Sequence, residues 1–473
     1  MATPKSVEAD VAGTGFEPTS PLASTYDETS ELNPTGCSLR FMTLLSLPRM
    51  AIAMAWSAQT AVYGPLLQIL LSSTSVQLVQ MAGPISGVLL GPTVGVWSDT
   101  CTSRFGRRRP FLALGATASI LCWVLLMYIM PIGRALGDTD IDRPWTSFLA
   151  VLCYVWIDIT LNVAQVPLNL ILADFAGDRQ VTAQVVGGLI TAVGYLIVAA
   201  YTYLFGPAYN SLQSFLSVLI SVMFVSSSFV CLCVYEQPLP TTSTPVPTPS
   251  ATTAVLGAVY TGLRDLPPPL RVYFAIAFLT QYGYTAYNSS KGQFFGLVVN
   301  GGDAAGADMC GSACSPAQDA YNRGVQLAGS ADALYLVGLA YLLFLPRLVR
   351  RFGAKRVVAY GCVPQVLLLL LAFCKETAID LAIVGLVSVT QCTIMALAMP
   401  LVVHVLGPDA DAGRFAGSLN SALCFGQLLN YVCASVAVTT AWGYTLPIFL
   451  GGLCSVAAWL VAIAFFNVEM HSM

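Results

Sequence analysis

The sequence predicts an all-α integral membrane protein of twelve transmembrane helices, arranged as two six-helix halves. Three observations carry that prediction. Only 10% of the 473 residues are charged and 56% are hydrophobic, whereas a soluble domain carries roughly 25% charged residues. A chain of this length would suggest about three soluble domains. Their surfaces would need far more than 21 basic and 24 acidic side chains. Twelve runs reach the roughly 20 mostly apolar residues that a bilayer span requires. None has the short alternating pattern of barrel strands, and helices satisfy their own backbone groups in lipid.

In chain order, residues 1–40 hold six acids, several Ser and Thr and little apolar character. They read as a disordered cytosolic tail with no cleavable signal pattern. Residues 41–235 form the first half, with spans near 50–72, 76–97, 111–133, 147–172, 181–206 and 211–235. Residues 236–271 contain EQPLPTTSTPVPTPSATT and LPPPL. Proline removes backbone donors and favours extended chain, so this is a cytosolic linker. Residues 272–466 form the second half, with spans near 272–298, 326–346, 357–374, 378–406, 415–438 and 443–466, and residues 467–473 are a short cytosolic tail.

Basic residues orient the chain. With the N-terminus in the cytosol, sixteen of the 21 bases fall on the cytosolic side. Only Arg134, Arg143, Arg323 and Lys375 fall on the other, and Lys291 falls inside a span. The positive-inside rule then puts both termini in the cytosol. One internal repeat is legible: Arg104-Phe105-Gly106-Arg107-Arg108-Arg109 follows span two, and Arg351-Phe352-Gly353-Ala354-Lys355-Arg356 follows span eight. Two basic stop signals would look similar, but a duplicated six-helix unit explains the matching positions better. Asp99 just precedes the first copy. With Arg104, Arg107, Arg108 and Arg109 it is a candidate cytosolic gate, able to latch the halves in one state.

Ten of the fourteen cysteines lie in apolar segments and act as small hydrophobes. Cys310 and Cys314 share a polar loop and either pair, if that loop faces an oxidising compartment, or stay free thiols. Two histidines and no CxxC leave no usual metal site. There is no Walker loop, GxSxG or His-based catalytic motif. An enzyme is not expected, nor a nucleic-acid partner, nor any cofactor beyond a coupling ion.

Four charged residues enter the spans: Asp158, Lys291, Asp332 and Asp380. Asp332 and Asp380 read as lying near the outer ends. Asp158 lies about halfway along span four. Burying an ionised carboxylate costs several kcal/mol, and an acid alternating between wet and dry surroundings is what proton coupling needs. Intramembrane acids are usually functional; the alternative is a structural acid. Asp158, Asn162, Gln165 and Asn169 are spaced i, i+4, i+7, i+11, one face of a helix. Such a polar stripe faces a cavity or bonds a neighbouring helix. Its amides both donate and accept, which suits hydroxyl-rich ligands. Span seven carries Tyr287, Asn288 and Lys291 in a run of tyrosines and amides, and span one carries Trp56, Gln59 and Tyr63. Lys291 either snorkels outward or points into the cavity.

Gly83-Pro84-Ile85-Ser86-Gly87, the run from Ser98 through Arg107-Arg108-Arg109-Pro110-Phe111, and the span-four stripe to Ala173-Asp174 carry a resemblance. So, more weakly, do Tyr321-Asn322-Arg323-Gly324-Val325 and Gly417-Ser418-Leu419-Asn420. The chain resembles the plant sucrose:proton symporters of the glycoside-pentoside-hexuronide group, major facilitator superfamily. Animal proton-coupled sugar carriers with the same RRRP loop are a looser match. The resemblance implies a major facilitator fold and an alternating-access carrier that moves a sucrose-like sugar with a proton. Asp158 stands at the family's proton-site aspartate. Two positions depart from the pattern: Asn169 replaces an arginine of helix four, and the Tyr287–Gln293 region replaces a charged cluster of helix seven. A facilitative carrier of another sugar or small polar solute, or a non-transporting sugar sensor, remain the alternatives. The setting is the plasma membrane or an acidic organelle.

Overall fold

The computed structural model describes residues 37–99, 101–140, 142–176, 179–236, 257, 264–406 and 412–470. Most of the predicted tail and linker lies outside the described residues. Within them, regular structure is helical throughout.

The first half begins with α1, Leu39–Ala58, which runs on through a π-type turn, Gln59–Tyr63, into Gly64–Leu70. Then come α2 (Ser73–Gln80 and Ala82–Asp99), α3 (Arg109–Met127), α4 (Pro144–Ala176), α5 (Gln180–Phe205) and α6 (Leu212–Cys233). In the second half, α7 (Pro268–Asn288) continues through Lys291–Gln293 and a π-type Phe294–Val299. It is followed by α8 (Pro316–Ser330 to Tyr335–Leu342), α9 (Leu345–Val366 and Leu368–Leu371), α10 (Thr377–Leu406), α11 (Ala412–Ala437) and α12 (Thr445–Phe465). Ten of these are long and apolar enough to cross a membrane. The other two, α7 and α11, place Gln281, Asn288, Asn420 and Gln427 toward the centre. Large apolar side chains such as Leu114, Leu121, Phe224 and Leu460 are exposed, the surface of a multi-pass protein solvated by lipid.

Local chemistry sets the helix starts. Ser38 caps α1 through the Phe41 N–H, and Ser72 caps α2 through the Ser75 N–H, each at 3.3 Å. Ser315 and Gln318 form a capping box with Pro316 at the first turn of α8. That box starts α8 well before the expected residue 326. Helix α1 likewise starts at Leu39 rather than near 50. Arg49, just before the predicted first span, therefore sits inside a helix.

The Arg-Phe-Gly repeat is also a structural repeat. Gly106 and Gly353 both take positive φ, 99° and 77°, a region open to glycine. Arg104 lies over the Phe105 ring at 4.8 Å, and Arg351 over Phe352 at 5.4 Å.

The halves meet unevenly. The apolar core of the first half takes in Ala304, Ala307, Tyr321 and Val325 of the second. These lie on the side opposite the basic loops. On the basic-loop side, the core built from Leu270, Leu345, Val349, Leu401 and Phe466 contains second-half residues alone. Among the described residues, the apolar core thus bridges the halves only on the side opposite the basic loops.

Candidate functional site

A cavity of about 440 Å³ lies between the halves, within the size range of small-molecule sites. Six of the predicted residues line it: Gln59, Asp158, Asn162, Gln165, Asn288 and Lys291. The stripe on α4 faces α1 as its spacing predicts. Gln59 Nε2 donates to Asp158 Oδ1 at 2.7 Å, and Trp56 Nε1 donates to Gln165 Oε1 at 2.8 Å. Asn162 Nδ2 donates to Ser86 Oγ of α2 at 3.1 Å and to the Asp158 carbonyl at 2.8 Å. Asp158 is 1% exposed and its Oδ2 has no partner. One carboxylate oxygen is thus held and the other is available to a proton or a ligand hydroxyl.

Three predicted residues lie elsewhere. Tyr63 packs within the first half beside Leu66, Leu67, Leu126 and Tyr154. The π-type turn changes the residue spacing there and carries Tyr63 off the Gln59 face. Tyr287 is buried in an apolar cluster with Phe294, Phe295 and Leu368. Asn169 accepts from Arg49 Nη2 at 2.8 Å. The two border an adjoining space of about 270 Å³ that shares Trp56, Gln165 and Tyr195 with the main cavity.

Two charged residues that the sequence left without a role enter the site. Asp332 pairs with Lys291 and accepts from Ser57 Oγ of α1 at 2.7 Å. Lys291 is 1% exposed and donates also to Asn288 Oδ1 at 3.3 Å, so it does not snorkel. A lysine and an aspartate on consecutive spans were the signal, since intramembrane charges pair with one another. Arg49 is the second. It reaches Asn169 and Gln184, and so sets a guanidinium beside the position where the resemblance expects an arginine on α4.

Of the predicted gate residues, Arg107, Arg108 and Arg109 bond described residues of their own half, while Arg104 lies over the Phe105 ring. Asp174 at the end of α4 meets Arg107 at 3.0 Å and Arg108 at 2.7 Å. Glu236 Oε2, beyond α6, accepts from the backbone N–H groups of Arg108 and Arg109 at 2.9 and 3.3 Å. Arg109 Nη1 donates to the Cys231 carbonyl at 3.0 Å. The Asp99 side chain lies outside the described residues. The cluster ties α3, α4 and α6 together.

The closed side has its own latch. Arg143, before α4, meets Asp308, before α8, through two bonds at 2.7 and 3.3 Å. Their side chains are 11% and 1% exposed. Tyr209 donates to Asn322, and Tyr321 Oη donates to the Pro65 carbonyl at 3.2 Å. A disulfide joins Cys310 and Cys314 in the loop that carries Asp308.

No family model matches the chain. The sucrose transport protein SUT1 of Oryza sativa subsp. japonica is 27% identical over 337 residues, 64% of this chain and 60% of that protein. The sucrose transport protein SUC3 of Arabidopsis thaliana is 30% identical over 170 residues, 34% of this chain and 29% of that protein. Proton-associated sugar transporter A of Rattus norvegicus is 32% identical over 197 residues, covering 40% and 26%. The chain therefore spans under two thirds of the length of these relatives. Among solved structures, the nucleoside transporter NupG has a TM-score of 0.58 at 12% identity, covering 92% of this chain and all of that one. A bacterial homologue of the iron transporter ferroportin, in an inward-facing state, has a TM-score of 0.58 at 14% identity, covering 91% and 100%. The chain has the major facilitator transporter fold, and its sequence is similar to sucrose transport proteins and proton-associated sugar transporters.

Proposed function

We propose that this chain carries a sucrose-like sugar together with a proton, by alternating access. The observation that carries the reading is the cavity itself. It lies between two repeated halves, and amides and tyrosines line it around one buried carboxyl with an available oxygen. Amide groups match sugar hydroxyls as both donors and acceptors. No cofactor is needed, and the proton is the coupling ion.

The basic-loop side is cytosolic in this reading, with both termini there. The structure then corresponds to the inward-facing state. Asp158 takes up a proton when the cavity faces outward, and sugar binds across α1, α4 and α7. The halves rock about the site, and both leave to the cytosol. The sequence likeness to sucrose and proton-associated sugar transporters supports the substrate class.

A facilitative carrier is the second reading. Lys291 and Asp332 already neutralise each other, so the second half adds no unbalanced charge for a proton to offset. Proteoliposomes with and without a pH gradient, supplied with a panel of labelled sugars, separate the two. In the coupled reading, Asp158→Asn loses proton-driven accumulation and keeps some exchange. If that variant concentrates sugar like the wild type, Asp158 is not the coupling group.

A further inference from the structure

We propose that the amide-rich plug on the outer side of the cavity becomes a second sugar-binding site when that side opens. The inference rests on the carrier reading above and adds a site to it. Three glutamines meet between the halves there. Gln77 and Gln80 come from α2 and Gln293 from the far end of α7, and they are 0%, 1% and 0% exposed. Their bonding is poor for such burial. Gln77 Nε2 donates to Ser290 Oγ at 3.4 Å, and Gln80 Nε2 donates to the Ser289 carbonyl at 3.3 Å, both beyond the usual range. Gln77 Oε1, Gln80 Oε1 and both amide atoms of Gln293 have no partner. Buried polar groups are nearly always satisfied, so orphaned amide atoms gathered in one layer call for a reason.

The layer lies across the seam that must part. Its glutamines on α2 belong to the first half, and Gln293, Ser289 and Ser290 belong to the second. The amides of Gln80 and Gln293 both reach Gly64 of α1, each 3.4 Å from where a Cβ would stand. Gln80 and Ser289 also line the main cavity, so the plug and the cavity share a wall. Within this layer only two weak bonds cross the seam, so once the latch on this side is released the orphaned amides turn toward the opened cleft. These five side chains carry no charge. Amides and hydroxyls that both donate and accept fit a neutral ligand with neighbouring hydroxyl groups. Sugar arriving from outside meets this layer before the cavity and passes by way of Gln80 to the wall that holds Asp158.

Transport in oriented proteoliposomes, with a sugar that the wild type carries and its single-deoxy analogues, tests the site. Gln77→Leu and Gln293→Leu are the variants, since neither residue lines the cavity that faces the cytosol. If a leucine variant does not fold, the shortened amides Gln77→Asn and Gln293→Asn take its place. The outside KM should rise about tenfold, the size of one lost hydrogen bond, and the cytosolic KM should change far less. For one analogue the variant should show no further rise, because the missing hydroxyl was the amide's partner. An equal rise for every analogue means that the amides act only on opening, which overturns the site, as does an unchanged outside KM. A wild type that moves no sugar in either direction sinks the carrier reading, and this site with it. A wild type that carries sugar beside unaffected variants sinks the site alone.

Discussion

Replacing Asp308 by asparagine should open the side that this structure holds shut. The carboxylate receives two bonds from Arg143, at 2.7 and 3.3 Å, and the two side chains are 1% and 11% exposed. The asparagine keeps the shape and removes the one carboxylate that bonds the buried guanidinium, while Asp138 is engaged by the Trp145 and Thr146 N–H groups and is beyond pairing distance. Breaking one partner of a buried pair costs about 3–5 kcal/mol. The pair joins the halves on the closed side, so that cost falls on the closed state and is relieved when the side opens. Taking the lower figure at about 1.4 kcal/mol per factor of ten, the outward-open population should rise by about 10²-fold. Cys424 lines the cavity and reports on it. In oriented proteoliposomes, a membrane-impermeant maleimide should label Cys424 of the wild type from the basic-loop side. In Asp308→Asn it should label from the opposite side about 10²-fold faster, read by mass spectrometry of the Cys424 peptide. The double variant Arg143→Met/Asp308→Leu leaves no orphaned charge and should fall back toward the wild type. Labelling of Asp308→Asn from the outer side at the wild-type rate would refute the latch.

The Lys291–Asp332 pair should show the same asymmetry in stability. Lys291→Met alone should destabilise the detergent-solubilised protein by about 3 kcal/mol, and Lys291→Met/Asp332→Leu by much less, as followed by thermal unfolding. A Cβ at Gly283 would stand 2.4 Å from Ser455 Oγ and 2.6 Å from the Gly451 carbonyl. Gly283→Ala should therefore cost about 1–3 kcal/mol by forcing α7 and α12 apart, and a melting temperature equal to the wild type's would contradict that packing. Non-reducing peptide mapping should find Cys310 linked to Cys314, while Cys424 alkylates as a free thiol.

Much of the site was legible because it depends on one helix at a time. The α4 stripe follows from 3.6-residue periodicity, and Asp158, Asn162 and Gln165 line the cavity as that spacing implies. Tyr63 fits the same rule on α1 and fails it, because a π-type turn intervenes that no residue pattern announced. Lys291 had two readings, and only the position of Asp332 on the next helix separates them. Asn169 borders the adjoining space instead of the main cavity, bonded there to Arg49, a residue just outside the predicted first span.

By itself the sequence determined the class of protein, the apolar spans, the repeated Arg-Phe-Gly loop and an acid, Asp158, halfway along span four. These are written in local composition, and lipid enforces them residue by residue. The tertiary structure alone decided which charges pair, that Asp174 engages the basic cluster, and that Arg143 and Asp308 join the halves on the opposite side. Those features join residues far apart in the chain, and their energies depend on distance and burial, neither of which exists until the helices meet.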